Sequence, residues 1–167
     1  RNEGGTGAWG QVARITADDS SAEDTFGLDV AISGDIVVVG AQADDDNGED
    51  SGSAYVFYRD RGGPDAWGQV AKITASDGVA SDQFGNAVAI DRDTVVVGAV
   101  YSNPIGPASG AAYIFTRNQG GADTWGQVTK LSASDGESFD NFGMSVSICG
   151  DTVVVGMPGD DDTGENS

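Results

Sequence analysis

The stretch "FGLDVAISGDIVVVG" at Phe26–Gly40 decides the fold, because the chain repeats it twice. It returns as "FGNAVAIDRDTVVVG" at Phe84–Gly98 and as "FGMSVSICGDTVVVG" at Phe142–Gly156. Each copy begins 58 residues after the one before it, and no insertion breaks this spacing. The 167 residues therefore form an array of three repeats, and the fold has to be worked out one repeat at a time.

Each repeat carries four short runs rich in Val, Ile and aromatic residues, and turn residues bound every run. In the second repeat these runs read "WGQVAKITA", "FGNAVAI", "TVVVGA" and "AAYIFTR". The run "VVV" is apolar on both faces, which predicts a strand that is covered on both sides. The link that precedes it is short enough for a tight hairpin. We place the units at residues 1–58, 59–116 and 117–167, and the last unit lacks its final strand.

The four runs of one repeat predict a sheet that cannot bury both of its faces alone. Copies stacked face to face solve this problem, and stacking around an axis gives a β-propeller. A linear stack of sheets is the alternative, but four strands per repeat is the blade pattern. We therefore predict an all-β chain of propeller blades, one four-stranded antiparallel sheet per 58-residue repeat, with an incomplete last blade. Eleven runs have strand character, and neighbouring blades share the runs that begin at tryptophan.

The combination of "FGxxVAI", "VVVGA" and "GSAYVF" resembles the FG-GAP repeat, the blade unit of integrin-alpha-type propellers. The likeness covers essentially the whole chain. It implies a seven-bladed propeller in most relatives, usually extracellular, whose loops bind protein or carbohydrate partners. Three blades are too few to close a ring. We therefore expect either further repeats in a longer chain or copies that associate into a ring or filament by blade or strand complementation.

The charge of the chain is lopsided, with 27 acidic against 8 basic residues and a net charge of −19. Such a surface repels phosphate backbones, so nucleic acid is not an expected partner. No apolar run approaches the ~18 residues of a membrane helix, so membrane insertion is not expected either. The chain has no histidine, and its single Cys149 excludes an intrachain disulfide. No Walker loop, nucleophile elbow or zinc-ligand spacing is present, which argues against an enzyme.

Two acidic loops, "ADDDNGEDSG" and "GDDDTGENS", are the candidate metal sites. Their closely spaced oxygens around a glycine turn suit Ca²⁺, which takes six to eight hard oxygen ligands. The corresponding loop of the second repeat carries no acid, and solvated turns that aid solubility are the alternative. In integrin-like relatives the calcium loop lies between the first two strands of a blade, where this chain has only two or three residues. The candidate ligands are Asp44, Asp46, Asn47, Asp50, Asp160 and Asp162.

Three further sets of residues recur once per repeat. We expect the aspartates to accept backbone N–H bonds in the turn before each FG pair, the phenylalanines to lie on the innermost strand, and the tryptophans to pack between blades. Acid–base catalysis by the aspartates and sugar stacking on the tryptophans are the alternatives. The sets are Asp24, Asp82 and Asp140, with Asp19, Asp77 and Asp135 five residues earlier; Phe26, Phe84 and Phe142; and Trp9, Trp67 and Trp125.

These observations favour a non-catalytic structural or adhesion module of a secreted or cell-surface protein, which binds copies of itself or further repeats. Two alternatives stay open. The chain could be the accessory propeller of a larger secreted hydrolase or lyase, or a calcium-dependent module for a protein or carbohydrate ligand. A catalytic domain elsewhere in the same gene would favour the first alternative, and sensitivity to chelators would favour the second.

Overall fold

The computed structural model describes residue 7 and residues 9–161, and this part of the chain forms ten β-strands and no helix. The strands make three antiparallel sheets that follow one another along the chain. This confirms the predicted all-β fold with a complete first and second blade and an incomplete last one. The first sheet is β1 (Val30–Ser33), β2 (Ile36–Ala41), β3 (Ser53–Arg59) and β4 (Trp67–Ile73); the second is β5 (Phe84–Asp91), β6 (Thr94–Ala99), β7 (Ala111–Arg117) and β8 (Trp125–Leu131); the third is β9 (Ser145–Cys149) and β10 (Thr152–Gly156).

The fourth strand of each complete sheet comes from the next repeat, since β4 begins at Trp67 and β8 at Trp125. The sheets therefore straddle the unit boundaries that the sequence suggests. The run at Trp9 was expected to be an eleventh strand, but residues 9–16 form none. In the two complete sheets, the run that begins at Trp67 or Trp125 pairs with the third strand of the preceding repeat. The described residues before Trp9 contain no strand with which the run at Trp9 could pair.

Two-residue turns join the first two strands of every sheet. Ser33 pairs with Ile36 and Asp91 pairs with Thr94, so each hairpin has the minimum length. The first turn residue has a left-handed backbone, with φ of 58° at Gly34 and 53° at Arg92. Glycine adopts this conformation without steric cost, and its recurrence at Gly150 explains why the "SGD" and "CGD" links suit the turn.

The main core lies between the first and second sheets. We call the face of a sheet that contacts the preceding sheet its incoming face, and the opposite face its outgoing face. Val38 and Val56 on the outgoing face of the first sheet pack in one cluster with Val88, Ile90 and Val95 on the incoming face of the second. In the second sheet the run "VVV" is covered on both sides, as predicted, because alternate residues point to opposite faces and each face meets another sheet, whereas Val154 of the third sheet is 63% exposed.

The backbones of neighbouring sheets approach each other closely at the FG pairs. The N–H of Phe84 donates to the carbonyl oxygen of Ser51 at 3.0 Å, and Phe142 repeats this bond with Ser109 at 3.0 Å. A Cβ atom at Gly85 would overlap the carbonyl oxygen of Ser53 in the preceding sheet. The glycines at Gly85 and Gly143 are therefore needed for sheet-to-sheet contact, because a Cβ atom at either position would overlap a carbonyl oxygen of the preceding sheet.

No helix in the described part of the chain has the length and apolar character that a membrane crossing requires.

Candidate functional site

The acidic loop of the first repeat lines a pocket of about 230 Å³ at the edge of the first sheet. Its walls are the turn before the first FG pair, the loop between β2 and β3, and one side chain of β4. Five aspartates and one lysine line it, which gives the pocket a formal charge of −4. The lining residues that ionise are Asp19, Asp24, Asp44, Asp45, Asp46 and Lys72.

The ammonium group of Lys72 occupies the centre of this cluster. Its Nζ lies 2.8 Å from Asp19, 2.9 Å from Asp44 and 2.7 Å from Asp46. The aromatic ring of Tyr55 lies beneath it, with 5.2 Å between Nζ and the ring centroid. Because β4 contributes Lys72 while the aspartates come from two loops, this ion cluster ties three separate segments of the sheet together.

Asp44 is the buried member of the cluster, with a side chain that is 5% exposed. Ser53 donates to its Oδ1 at 2.9 Å, and the hydroxyl of Tyr55 donates to its Oδ2 at 2.7 Å. Burial opposes ionisation of Asp44, but Lys72 and these hydroxyls outweigh it and hold its pKa below the usual value. Burial also opposes the charge of Lys72, yet its carboxylate partners raise the pKa of that ammonium. Both groups therefore stay charged over the physiological range of pH.

A second pocket, of about 200 Å³, lies at the equivalent position of the second sheet. Lys130 lies 58 residues after Lys72 and contacts Asp77 at 2.7 Å. The hydroxyl of Tyr113 also donates to Asp77, at 2.9 Å. Ser102 stands where the first repeat has Asp44, so the second pocket keeps the lysine and loses the buried carboxylate. The cluster is a repeated structural feature whose charge differs between sheets.

The aspartate before each FG pair lies in a turn and accepts a backbone bond there. Asp24 accepts from the N–H of Ser21 at 2.5 Å, and Asp82 accepts from that of Val79 at 3.1 Å. The third copy, Asp140, accepts from the N–H of Glu137 at 2.5 Å. All three side chains are buried, as expected for residues that fix the entry into the first strand.

Asp82 differs from its two counterparts, because its Oδ1 is buried and has no hydrogen-bond partner among the described residues. Burial raises the pKa of this carboxyl and outweighs the N–H of Val79 and the charge of Lys130. An ionised Asp82 is therefore held at some cost to the stability of the second sheet.

The other candidate metal ligands lie apart from this network. The backbone N–H of Asn47 donates to the hydroxyl of Ser51 at 3.0 Å, and that of Asp50 donates to Asp45 at 2.8 Å. Asp160 lies in the turn after β10, and Asp162 lies outside the described residues. Over residues 9–161, no three His, Cys, Asp or Glu side chains are arranged to hold a metal ion.

The donor set fits calcium poorly in this conformation, because both oxygens of Asp44 already accept bonds and Lys72 fills the space between the carboxylates. A cation would have to displace the ammonium group. Calcium binding here stays a prediction, and the structure adds Lys72 as its competitor.

The recurring aromatic residues occupy equivalent positions with different degrees of burial. Phe84 is 0% exposed and its ring contacts those of Tyr113 and Phe115, whereas Phe26 and Phe142 are half-buried. Trp9 is 83% exposed, whereas Trp125 is 9% exposed. The indole N–H of Trp125 donates to the hydroxyl of Tyr58 in the preceding sheet at 3.0 Å. Burial at a given repeat position thus depends on its surroundings: among the described residues no sheet precedes Phe26, and the sheet of Phe142 has no third strand to supply aromatic partners.

A cleft of about 510 Å³ opens where the first strands of the three sheets converge. The residue after each FG pair lines it, and these residues are Leu28, Asn86 and Met144. Asn86 holds the second and third sheets together, since its amide nitrogen donates to the carbonyl oxygen of Gly143 at 3.0 Å. Because this position varies between repeats, the cleft has no repeated chemistry.

Sequence reasoning overlooked the lysines at the centre of both pockets. A signal was present, because Arg14, Lys72 and Lys130 recur at the spacing of 58 residues in the runs that begin at tryptophan. A basic residue fixed at one position of an acidic repeat indicates a fixed acidic partner. The identity of that partner was not readable, because 53 residues separate Asp19 from Lys72.

The family model described as FG-GAP repeat matches the chain three times, at residues 9–57, 67–115 and 125–167. Each match runs from a tryptophan position through the FG pair, and the first two end at the third strand of the sheet. No curated protein was found to match the chain.

Proposed function

Because this chain belongs to the FG-GAP repeat family, we propose that it is a non-catalytic structural module of a secreted or cell-surface protein. Its role in this proposal is adhesion or self-assembly, through sheets that bind other sheets of the same kind. One observation carries the proposal: on the incoming face of the first sheet, the part formed by β1 is apolar and exposed, although its counterpart in the second sheet is buried against a neighbour.

The contrast between the two incoming faces is large. Val30 and Ile32 of the first sheet are 61% and 63% exposed, whereas the equivalent Val88 and Ile90 are 5% and 9% exposed. Val12, Ile15 and Trp67 extend the same apolar surface. The groove there is lined by Val12, Ala13, Ile15, Ile32, Val37 and Trp67. Contiguous apolar surface of this kind is typical of binding faces. The second sheet supports this interpretation, because the equivalent residues Val88 and Ile90 pack against the first sheet.

The ionisable clusters support a structural role rather than catalysis. Each pocket repeats at the same position of its sheet, and in each the lysine pairs with aspartates. Catalysis needs one special constellation with a free nucleophile or base, and a repeated ion cluster that braces each sheet does not provide it. The net charge of −19 is compatible with an acidic surface outside the cell.

The proposal is tested by sedimentation velocity of the whole chain over a range of concentrations and salt. We expect the wild type to associate more strongly at about 1 M than at about 0.15 M NaCl, because the screening length falls from about 8 Å to about 3 Å and like charges repel less. Ile32→Asp should abolish association, because a charge cannot be buried in an apolar interface. The matched control is Ile105→Asp, a 53% exposed loop position outside the sheet faces, which should behave as the wild type. A wild type that stays monomeric under all conditions refutes the proposal.

A calcium-dependent binding module is the second candidate, favoured by the formal charge of −4 in the first pocket. Millimolar calcium should then raise the melting temperature, because a ligand that binds only the folded state stabilises it. The rise should be larger in Lys72→Met, which lacks the competing ammonium, and absent in a variant that combines Asp19→Asn with Asp46→Asn, two carboxylates that line the pocket. An unchanged melting temperature in both the wild type and Lys72→Met removes the site.

A further inference from the structure

We infer that the loop between β6 and β7, together with Phe139, binds a basic segment of another protein through exposed apolar side chains. Loops and not sheet faces form this surface, so its binding goes beyond sheet-to-sheet association and does not depend on it. We call the surface the loop patch. It consists of Val79, Pro104, Ile105, Pro107 and Phe139, which are all exposed.

The first repeat builds the same backbone contact without apolar side chains. The N–H of Phe139 donates to the carbonyl oxygen of Pro107 at 2.8 Å. One repeat earlier, the N–H of Ser81 donates to the carbonyl oxygen of Glu49, also at 2.8 Å. Because polar residues support the same contact there, the fold does not require apolar residues at these positions.

The exposure of the loop patch belongs to its positions in the repeat. Ile105 is 53% exposed and Phe139 is 66% exposed. Asn47 and Ser81 occupy the same positions at the junction of the first and second sheets, where both sheets are complete, and they are exposed as well. A side chain at either position therefore faces water in both repeats, and burial within the array does not explain an apolar residue there.

The backbone of Phe139 is unfavourable for an aromatic residue. Its φ is 73°, in the left-handed region that bulky side chains rarely adopt. Glu23 and Ser81 have φ of 78° and 69° at the same position, so the turn imposes this conformation on whatever residue is there. An unfavourable backbone held by its surroundings is typical of binding sites, and here it presents an aromatic ring to solvent.

The members of the loop patch lie next to one another. A Cβ atom at Gly136 would lie 3.3 Å from Cδ1 of Ile105, so the loop packs along the turn that carries Phe139. Val79 and Pro104 line the second pocket together, which extends the patch on the side of Ile105. A contiguous exposed apolar surface with a polar rim is typical of a protein-binding site.

The charges around the loop patch select its partner. The turn at residues 132–141 carries the exposed Asp135 and Glu137, and neither this turn nor the loop at residues 100–110 contains lysine or arginine. Lys130 of the adjacent pocket is already paired with an aspartate at 2.7 Å. This acidic rim repels a second copy of the chain, whose net charge is −19, and an anionic membrane surface. The partner that fits is a protein segment with apolar side chains between basic ones.

Fluorescence anisotropy tests the loop patch with a labelled synthetic peptide that alternates lysine with leucine around a central tryptophan. The matched variant combines Ile105→Asn, Pro107→Glu and Phe139→Ser, which installs the residues that the first repeat has at these positions. Because the first repeat folds with them, the variant should keep its melting temperature. We expect the peptide to bind the wild type at least about tenfold more tightly than the variant, since the apolar anchors are lost.

The direction of this change separates the loop patch from general attraction to an acidic protein. The variant gains one negative charge through Pro107→Glu, so attraction of lysine alone would make it bind the peptide more tightly than the wild type. Equal or tighter binding by the variant therefore overturns the inference, as does no binding to the wild type. Equally tight binding of a peptide with glutamate in place of lysine also overturns it. A lower melting temperature of the variant would show that these side chains serve the fold instead.

Two further measurements distinguish other occupants of the loop patch. Flotation with vesicles of phosphatidylserine and phosphatidylcholine that the wild type shows and the variant lacks would assign the patch to a membrane. Loss of self-association in the variant would assign it to a second copy, and either result overturns the inference. Ile32→Asp should abolish self-association and leave peptide binding unchanged, so failure of the proposed function and failure of the loop patch are distinguishable.

Discussion

Replacement of Phe84 by alanine tests the stacking of sheets most directly. The Phe84 side chain is 0% exposed, and its ring makes edge-to-face contacts with Tyr113 at 5.5 Å and Phe115 at 5.8 Å between centroids. The same side chain packs in the core cluster that joins the first and second sheets. A buried Phe→Ala change costs about 3–5 kcal/mol, and two aromatic contacts place this residue at the upper end, near about 4–5 kcal/mol.

Phe26 provides a control at the equivalent position of the first repeat. Its ring makes the same two kinds of contact, with Tyr55 at 5.5 Å and Phe57 at 6.1 Å, but no sheet precedes it among the described residues and it is half-buried. We therefore expect Phe26→Ala to cost about 2 kcal/mol, since roughly half of the burial is absent. The difference between the two variants, about 2–3 kcal/mol, measures what a neighbouring sheet adds at this position.

Urea denaturation followed by fluorescence and far-UV circular dichroism measures both costs. With a slope of about 2 kcal/mol per molar urea, Phe84→Ala should lower the midpoint by about 2 M and Phe26→Ala by about 1 M. Coincident curves from the two probes are needed for these free energies to be meaningful. If Phe26→Ala costs as much as Phe84→Ala, or if Phe84→Ala costs less than about 1 kcal/mol, inter-sheet burial is not what stabilises the array.

The remaining predictions concern the ionisable groups of the two pockets. Lys72→Met should lower the free energy of unfolding by about 2–3 kcal/mol, because it leaves the buried carboxylate of Asp44 without its cation. Lys130→Met should cost only about 1 kcal/mol, since its partner Asp77 is half-exposed; equal costs in urea denaturation would contradict this reasoning. Asp82→Asn should stabilise the chain at neutral pH, because burial raises the pKa of Asp82 in the folded state and ionisation is therefore unfavourable there. The free-energy cost of ionising Asp82 is absent below its unfolded pKa of about 3.9 and grows as the pH rises towards its pKa in the folded state. The stabilisation by Asp82→Asn should therefore vanish in acid. A stabilisation that does not change with pH would show that ionisation is not its cause.

The repeat and its strands were predictable because their signals are local. A period of 58 residues, β-branched runs and glycine turns can be read without knowledge of distant contacts. The strand expected at Trp9 was wrong, because a strand depends on a pairing partner as well as on its own residues.

The candidate site was only half predictable. The acidic loop and the recurring aspartates were identified, but the ion cluster was not, because Lys72 reaches Asp19 and Asp44 only after β4 has paired with β3. Whether Asp44 is a metal ligand or the partner of a lysine depends on that pairing. The residue types and their spacing in the loop are the same whether Asp44 binds a metal or a lysine, so the sequence does not distinguish the two roles.

By itself, the sequence determined that this protein is an array of repeated antiparallel sheets built from apolar strands. Only the tertiary structure decided which sheet faces are covered and which carboxylates are neutralised. The physical reason is that strand formation and turns depend on neighbours along the chain, whereas burial and ion pairing depend on neighbours in space. Equivalent residues of different repeats therefore differ in burial: Trp9 is 83% exposed, whereas Trp125 is 9% exposed.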